Sequence, residues 1–224
     1  MKRTLSLIIS LFLFVRLFAY EPLTSWPYVY EEFTKGRVIS FDGKTIEYES
    51  LNINLISSRV HYIENGIIME CKPETVSKLE INGATYICVG ARMMKVIAES
   101  QNSAVVLRTS IDYDAMNKAN IGYGKSSMAS TQSISVSVLS EQMSFSVNKS
   151  MEDVSRDKYD GEPLVLKEEK GILYKNLFVL ATKRDVLNAL DESRDKVKEF
   201  LKTERIKFRK EEDLLRLIDF ISSL

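Results

Sequence analysis

Histidine, tryptophan and cysteine are scarce in this sequence, which has one, one and two of them in 224 residues. No histidine or second pair of thiols flanks either cysteine, so a tetrahedral metal site of the zinc type is not predicted. Positive and negative side chains balance, with 31 of each, which leaves no basic surface for nucleic acid or anionic lipid. We therefore expect no metal, no cofactor and no nucleic-acid partner.

Long apolar runs are also absent, except for residues 5–15. Lys2 and Arg3 precede this run and Ala19 follows it as a small residue for cleavage, which is the layout of a secretory signal peptide. A membrane span would need roughly 18 continuous apolar residues, so we expect residues 1–19 to be a signal peptide. An uncleaved anchor is the alternative, because Arg16 and Leu17 depart from an ideal signal.

Cleavage after Ala19 would remove three cations and no acids, leaving a mildly acidic mature protein with no transmembrane span. The predicted location is then the periplasm, the outer-membrane surface or the extracellular medium. Export would also allow Cys71 and Cys88 to form a disulfide. The alternative is that both cysteines are small buried hydrophobic residues on adjacent strands.

Residues 28–110 consist of short β-branched and aromatic runs separated by turns. The turns have the Asp-Gly or Asn-Gly composition of tight hairpins, because these residues tolerate positive φ. They are Asp42-Gly43, Asn65-Gly66 and Asn82-Gly83. The pattern predicts an antiparallel β-meander in a domain at residues 20–111, with one helical turn within residues 73–77.

Residues 112–160 are poor in large apolar side chains and rich in serine, which predicts a flexible insertion. Within this segment apolar residues alternate with serines, and period-two alternation indicates a half-buried strand or hairpin. The alternating apolar residues are Ile134, Val136, Val138, Phe145 and Val147. This element is either an ordinary edge hairpin or a strand offered to a partner by β-augmentation.

Residues 161–224 begin with a predicted β pair around Gly171 and then become helical. Three apolar stripes at helical spacing predict three short helices. The stripes are Val186, Leu187 and Leu190, then Val197, Phe200 and Leu201, and finally Leu214, Leu217, Ile218 and Ile221. The sequence thus predicts an α+β protein, with an antiparallel β-meander body followed by a short C-terminal helical segment.

No catalytic set emerges from the motifs. His61 lies in a predicted strand without a nucleophile motif beside it, so a partly exposed strand residue is the favoured interpretation. Gly124-Lys125-Ser126 resembles the end of a phosphate-binding loop, but Ala119 stands where that loop needs glycine, and we expect no nucleotide. Two carboxylates facing each other across a cleft, as in glycoside hydrolysis, are the remaining catalytic alternative.

Aromatic residues crowd the start of the predicted mature chain at Trp26, Tyr28 and Tyr30. Tyr28 and Tyr30 share one face if this segment is extended. Such a cluster could stack on a sugar or on a protein partner. The alternative is that the aromatic side chains fix the first strand to the core.

Five segments resemble uncharacterised secreted proteins of Bacteroides-type Gram-negative bacteria. They are WPYVYEEF at 26–33, SFDGK at 40–44, RMMKV at 92–96, GYGKSS at 122–127 and FRKEEDL at 208–214. The resemblance implies an envelope location and a non-catalytic role, and it supplies no functional residues. We therefore expect an exported binding or structural protein whose partner is an envelope protein or a glycan. The alternative is a carboxylate-dependent hydrolase acting on glycan or peptide.

Overall fold

The structure is a computed structural model that describes residues 23–24, 26–100, 103–115 and 164–224. A sheet of eleven strands dominates it, and the paired strands are antiparallel. The strands are β1 (Leu23–Thr24), β2 (Thr34–Ser40), β3 (Thr45–Ile53), β4 (Val60–Glu64), β5 (Ile67–Glu70), β6 (Val76–Ile81), β7 (Ala84–Val89), β8 (Arg92–Ser100), β9 (Ser103–Ile111), β10 (Leu164–Tyr174) and β11 (Leu177–Leu180). The protein is mostly β, and helices near the C-terminus give it some α+β character.

The strand order departs from the predicted meander at one point. Strands β2 to β5 form successive hairpins, but β6 returns to pair with β2, where Val38 lies opposite Leu79. The order continues from β6 through β7, β8 and β9 to β10, whose far side pairs with both β1 and β11. Because β10 pairs with β9, the predicted segments 20–111 and 161–224 contribute to one continuous sheet.

The predicted hairpin turns are present where the Asp-Gly and Asn-Gly dipeptides lie. Their positive φ values are the reason for this composition, because residues other than glycine, asparagine and aspartate rarely adopt that conformation. The values are 81° at Gly43, 51° at Asn65, 76° at Gly66, 50° at Asn82 and 71° at Gly83. The predicted helical turn after β5 is a 3-10 helix at Pro73–Thr75.

The predicted β pair is present as β10 and β11, but its turn does not lie at Gly171. Strand β10 continues through Gly171 to Tyr174, and the turn into β11 is Lys175-Asn176, with φ values of 48° and 60°. A Cβ atom at position 171 would collide with the ring of Phe178 on β11. Glycine is therefore needed here by packing within the sheet rather than by a change of chain direction.

One hydrophobic core fills a face of strands β2 to β8. Its buried members are Val38, Leu51, Ile53, Val60, Cys71, Val76, Leu79, Ile81, Tyr86 and Met93. Burying one valine, leucine or isoleucine side chain contributes about 1.5–3 kcal/mol relative to leaving it in water. The strands that surround the candidate site are thus held by the interior of the sheet.

Three helices pack together over the part of the sheet formed by β8 to β11. They are α1 (Lys183–Ala189), α2 (Arg194–Thr203) and α3 (Glu211–Ser222). The three apolar stripes of the sequence all lie in one core with Val105 of β9 and Ile172 of β10, which confirms their assignment to a packed helical segment. No helix in the described part of the chain is both long and apolar enough to cross a membrane.

Candidate functional site

The candidate site is built around His61, the sole histidine. His61 lies on β4 directly opposite Glu70 on β5, so the hairpin register brings an imidazole beside a carboxylate. The segment that precedes β2 passes over this pair, and an isolated bridge between Tyr28 and Asn54 fixes its position. Three separate parts of the sequence therefore meet at one point.

The side chains of Tyr28, His61, Glu70 and Arg59 form a chain of polar contacts, which we call the His61 relay. The Tyr28 hydroxyl lies 3.1 Å from His61 Nδ1, and His61 Nε2 lies 3.4 Å from Glu70 Oε2. Arg59 Nη1 donates to Glu70 Oε1 at 2.7 Å. The relay leads from the protein interior to the partly exposed Arg59.

The partners of His61 define its protonation. A carboxylate can only accept a hydrogen bond, so neutral His61 carries its proton on Nε2 and accepts from the Tyr28 hydroxyl at Nδ1. Burial lowers the pKa of His61, and the nearby Glu70 opposes this shift only in part. His61 is consequently a neutral, oriented imidazole around neutral pH.

The surroundings of the relay are apolar and closed. Tyr28 and His61 are each only 2% exposed. The Tyr28 ring lies 5.1 Å from that of Trp26, 4.9 Å from that of Phe33 and 5.6 Å from that of His61, measured between centroids. Such a setting stabilises the fold through aromatic contacts, but it leaves no room for a substrate beside the Tyr28 hydroxyl or His61.

Two buried asparagines bind main-chain groups near the end of β3: Asn52 holds the segment before β2, and Asn54 holds the turn after β3. The Asn52 side-chain oxygen accepts from the Tyr30 amide at 3.1 Å, and its nitrogen donates to the carbonyl oxygens of Tyr30 at 2.8 Å and Glu32 at 3.1 Å. Asn54 accepts from the amides of Ile56 and Ser57, each at 3.0 Å. The sequence reasoning missed both residues, although asparagine alternating with apolar residues at 51–55 was a usable signal.

The predicted aromatic site residues lie in or near the core. Trp26 is buried and donates from Nε1 to the Tyr30 carbonyl oxygen at 2.8 Å. Half-buried Tyr30 places its hydroxyl 2.9 Å from that of Tyr86. For Trp26 and Tyr28 these contacts favour the alternative of fixing the first segment to the core. The other predicted interaction residues, Ile134, Val136, Val138, Phe145 and Val147, lie outside the described residues.

Cys71 and Cys88 are both free thiols in the structure, so the disulfide that the sequence permits is not formed here. Cys71 is buried, and burial raises its pKa to about 11. Burial also raises the pKa of half-buried Cys88. Both thiols are therefore protonated at neutral pH, which makes them poor nucleophiles and poor metal ligands.

A groove of about 410 Å³ adjoins the exposed end of the relay. It is open to solvent, and its lining includes Arg59, Cys88 and Phe41. Phe41 lies at the tip of the β2–β3 hairpin and is 65% exposed. Within residues 26–100, 103–115 and 164–224, no group of three or more His, Cys, Asp or Glu side chains could hold a metal ion. The groove offers contact area, the Arg59 guanidinium and the single carboxylate of Glu74 rather than a paired catalytic set.

The two edges of the sheet are a second place where binding is physically favoured. Strand β5 ends the sheet on one side, and β11 pairs only with β10 on the other, among the strands that the structure describes. Edge strands carry main-chain N–H and C=O groups that another strand can use. Leu177 on β11 is 67% exposed.

We compared the chain with protein families, curated proteins and solved structures. No family model, no curated protein and no solved structure matches this chain.

Proposed function

We propose that this chain is an exported, non-enzymatic interaction component of a Gram-negative cell envelope. The observation that carries the proposal is the closed state of the His61 relay. Its imidazole and its tyrosine hydroxyl are buried against aromatic rings, and each already has a polar partner. A group that must abstract or deliver a proton needs to reach the substrate directly or through one water.

Four of the five described carboxyl groups with a lowered pKa owe it first to a hydrogen bond, and they add support. The hydrogen bond from Arg37 lowers the pKa of Glu80, and the bond from Arg216 lowers that of Asp213. Asp42 and Asp185 also have lowered pKa values, as hydrogen-bond acceptors from Lys44 and Thr182 respectively. A glycoside hydrolase needs a general acid with a raised pKa, and ionised surface carboxylates do not supply one.

The test has a catalytic arm. Purified protein is incubated with peptidoglycan, a panel of chromogenic glycosides and casein, beside the variant Glu70→Gln. We expect no turnover by either protein, and turnover that both proteins share would also overturn the proposal. Turnover that Glu70→Gln abolishes would show that the relay acts as a catalyst and would overturn the proposal in favour of the hydrolase.

The test also has a binding arm in the native host. A photo-crosslinking amino acid is placed in separate variants at Phe41, Ile46 or Leu177, which are 65%, 51% and 67% exposed. We expect discrete adducts in the envelope fraction at one of these surfaces and not at all three. Mass spectrometry of the same fraction should find Tyr20 as the first residue. Absence of adducts at every position, or a cytoplasmic chain that retains residues 1–19, would contradict the proposal.

A further inference from the structure

Strand β11 is an apolar edge with main-chain groups directed outward. Its sequence is Leu177-Phe178-Val179-Leu180, and only Val179 is buried. The Ala181 amide donates to the Lys170 carbonyl at 2.9 Å, which makes Gly171 and Leu180 a non-hydrogen-bonded pair. Phe178 and Leu180 therefore direct their N–H groups away from β10.

One outward carbonyl of this edge already has a partner. The Thr182 amide donates to Leu180 oxygen at 2.7 Å. The outward groups left for an added strand are the N–H and C=O of Phe178 and the N–H of Leu180, counted within the described residues. These alternate along the edge as β-augmentation requires.

Cationic side chains stand at both ends of β11. Exposed Lys175 lies in the turn before the strand, and exposed Lys183 and Arg184 follow it at the start of α1. Arg184 contacts Asp185 at 3.3 Å, whereas no ion pair is formed by Lys175 or Lys183 with a described carboxylate. The ends of the edge thus carry a net positive charge around an apolar centre.

We propose that β11 binds an extended segment of a partner protein, with apolar side chains in its middle and carboxylates at both ends. This inference rests on the proposed interaction role and names the partner chemistry for it. The main-chain groups of Phe178 and Leu180 provide the added ladder, Leu177 provides exposed apolar surface, and the three cations select acidic flanks.

A second copy of this chain fits the same edge poorly. Antiparallel pairing of two β11 strands about a two-fold axis, through the outward groups of Phe178 and Leu180, places Phe178 of one copy opposite Leu180 of the other. Lys175 then lies beside Lys183 of the opposing copy at both ends. Like charges in such positions destabilise a strand pair, so the charge pattern favours a different, acidic chain.

Fluorescence anisotropy with two labelled octapeptides tests the inference on the full mature chain. One probe is Asp-Asp-Val-Thr-Val-Thr-Asp-Asp, and the other has lysine in place of each aspartate. We expect the acidic probe to bind at least about tenfold more tightly than the basic probe. The triple variant Lys175→Glu, Lys183→Glu and Arg184→Glu should reverse this preference. The triple variant Lys72→Glu, Arg92→Glu and Lys95→Glu, at exposed positions outside β11, is its charge-matched control.

A second pair of variants separates the main-chain contribution. Leu180→Pro removes an N–H that points away from β10, so the β10–β11 ladder keeps its own bonds. We expect it to weaken binding of the acidic probe roughly threefold to tenfold, the value of one net hydrogen bond. Leu180→Ala shortens the same side chain but keeps the N–H, and it should bind within about twofold of the unchanged chain.

Several results would overturn the inference. They are equal affinity for both probes, no reversal by the triple variant, and a dimer in sedimentation velocity that Leu180→Pro dissociates. The charge reversal decides the matter even if Leu180→Pro fails to fold. Envelope crosslinks at Phe41 that the triple variant leaves unchanged, together with probe binding that fails, would exclude β11 while the proposed function stands.

Discussion

His61 makes stability depend on pH through a single buried side chain. Burial is the largest influence on its pKa and lowers it from the ordinary value of 6.5, while Glu70 acts in the opposite direction. In the window between the lowered pKa and 6.5, the unfolded chain binds more protons than the folded chain. The free energy of unfolding contributed by His61 is therefore full above 6.5 and is lost as the pH falls through the folded pKa.

Urea titrations between pH 5 and 8 can isolate this contribution. We expect the unchanged protein to lose stability below about pH 6.5, with a slope from His61 of at most about 1.4 kcal/mol per pH unit, because one proton is involved. His61→Gln should lack this component. Glu70→Gln removes the group that raises the pKa, so its loss should extend to lower pH. Parallel curves for the unchanged protein and His61→Gln would show that His61 does not titrate with unfolding.

The residue types alone predict only part of the His61 relay. The sequence identified His61 as a lone histidine in a strand, but it did not reveal the burial, because the covering Tyr28 lies 33 positions away. Asn52 shows the same difficulty, since its partners lie 20 to 22 positions away. Polar residues that satisfy each other across the fold look unremarkable until the chain reversals are known.

At the scale of elements, helix α1 begins with a cap that can be removed. The Thr182 side-chain oxygen accepts from the Asp185 amide at 3.1 Å, and its hydroxyl donates to Asp185 Oδ2 at 2.6 Å. Thr182→Ala should lower the free energy of unfolding by about 1 kcal/mol, within the usual range of 0.5–2 kcal/mol for such caps. Chemical denaturation followed by circular dichroism measures the change.

Thr182→Ser is the matched control for this cap, because serine retains the hydroxyl. It should stay within about 0.5 kcal/mol of the unchanged protein, as serine and threonine both serve at this position. An equal loss in both variants would attribute the effect to the threonine methyl group instead of the hydrogen bonds.

Elements defined by local chemistry were predictable, and elements defined by distant partners were not. The dipeptides Asn65-Gly66 and Asn82-Gly83 predict their own hairpin turns, because the positive φ values of these turns select asparagine and glycine. Lys175-Asn176 makes an equivalent turn with a lysine at positive φ, which no composition rule favours. The sequence suggested a turn at Gly171 instead, because a glycine needed for packing against an aromatic ring cannot be distinguished in sequence from a glycine needed for a turn.

For the whole molecule, the continuous sheet predicts one unfolding transition. Trp26, the sole tryptophan, packs with Tyr28 and Ile68 near the β5 edge, whereas Leu217 is buried in the helical core over β9 and β10. Leu217→Ala should cost about 2–5 kcal/mol. We expect tryptophan fluorescence and far-ultraviolet circular dichroism to report the same lowered urea midpoint.

The control for this experiment is Glu212→Ala, an exposed position on the same helix α3, which should change stability by less than about 0.5 kcal/mol. A fluorescence midpoint that stays fixed while the helical signal shifts would mean that the two cores unfold separately. Coincident shifts would establish that β8, β9 and β10 transmit the loss across the sheet.

The return of β6 to β2 has a consequence for the order in which the sheet can form. Strand β3 reaches β2 through a tight hairpin, but Leu79 must close a loop of about 40 residues to meet Val38, and Leu164 closes one of about 140 to meet Thr24. Closure entropy rises with loop length, so the local hairpins precede both pairings. During synthesis the edge of β2 that later pairs with β6 stays unpaired until β6 has emerged. Strand β1 likewise has no partner until β10 has been made.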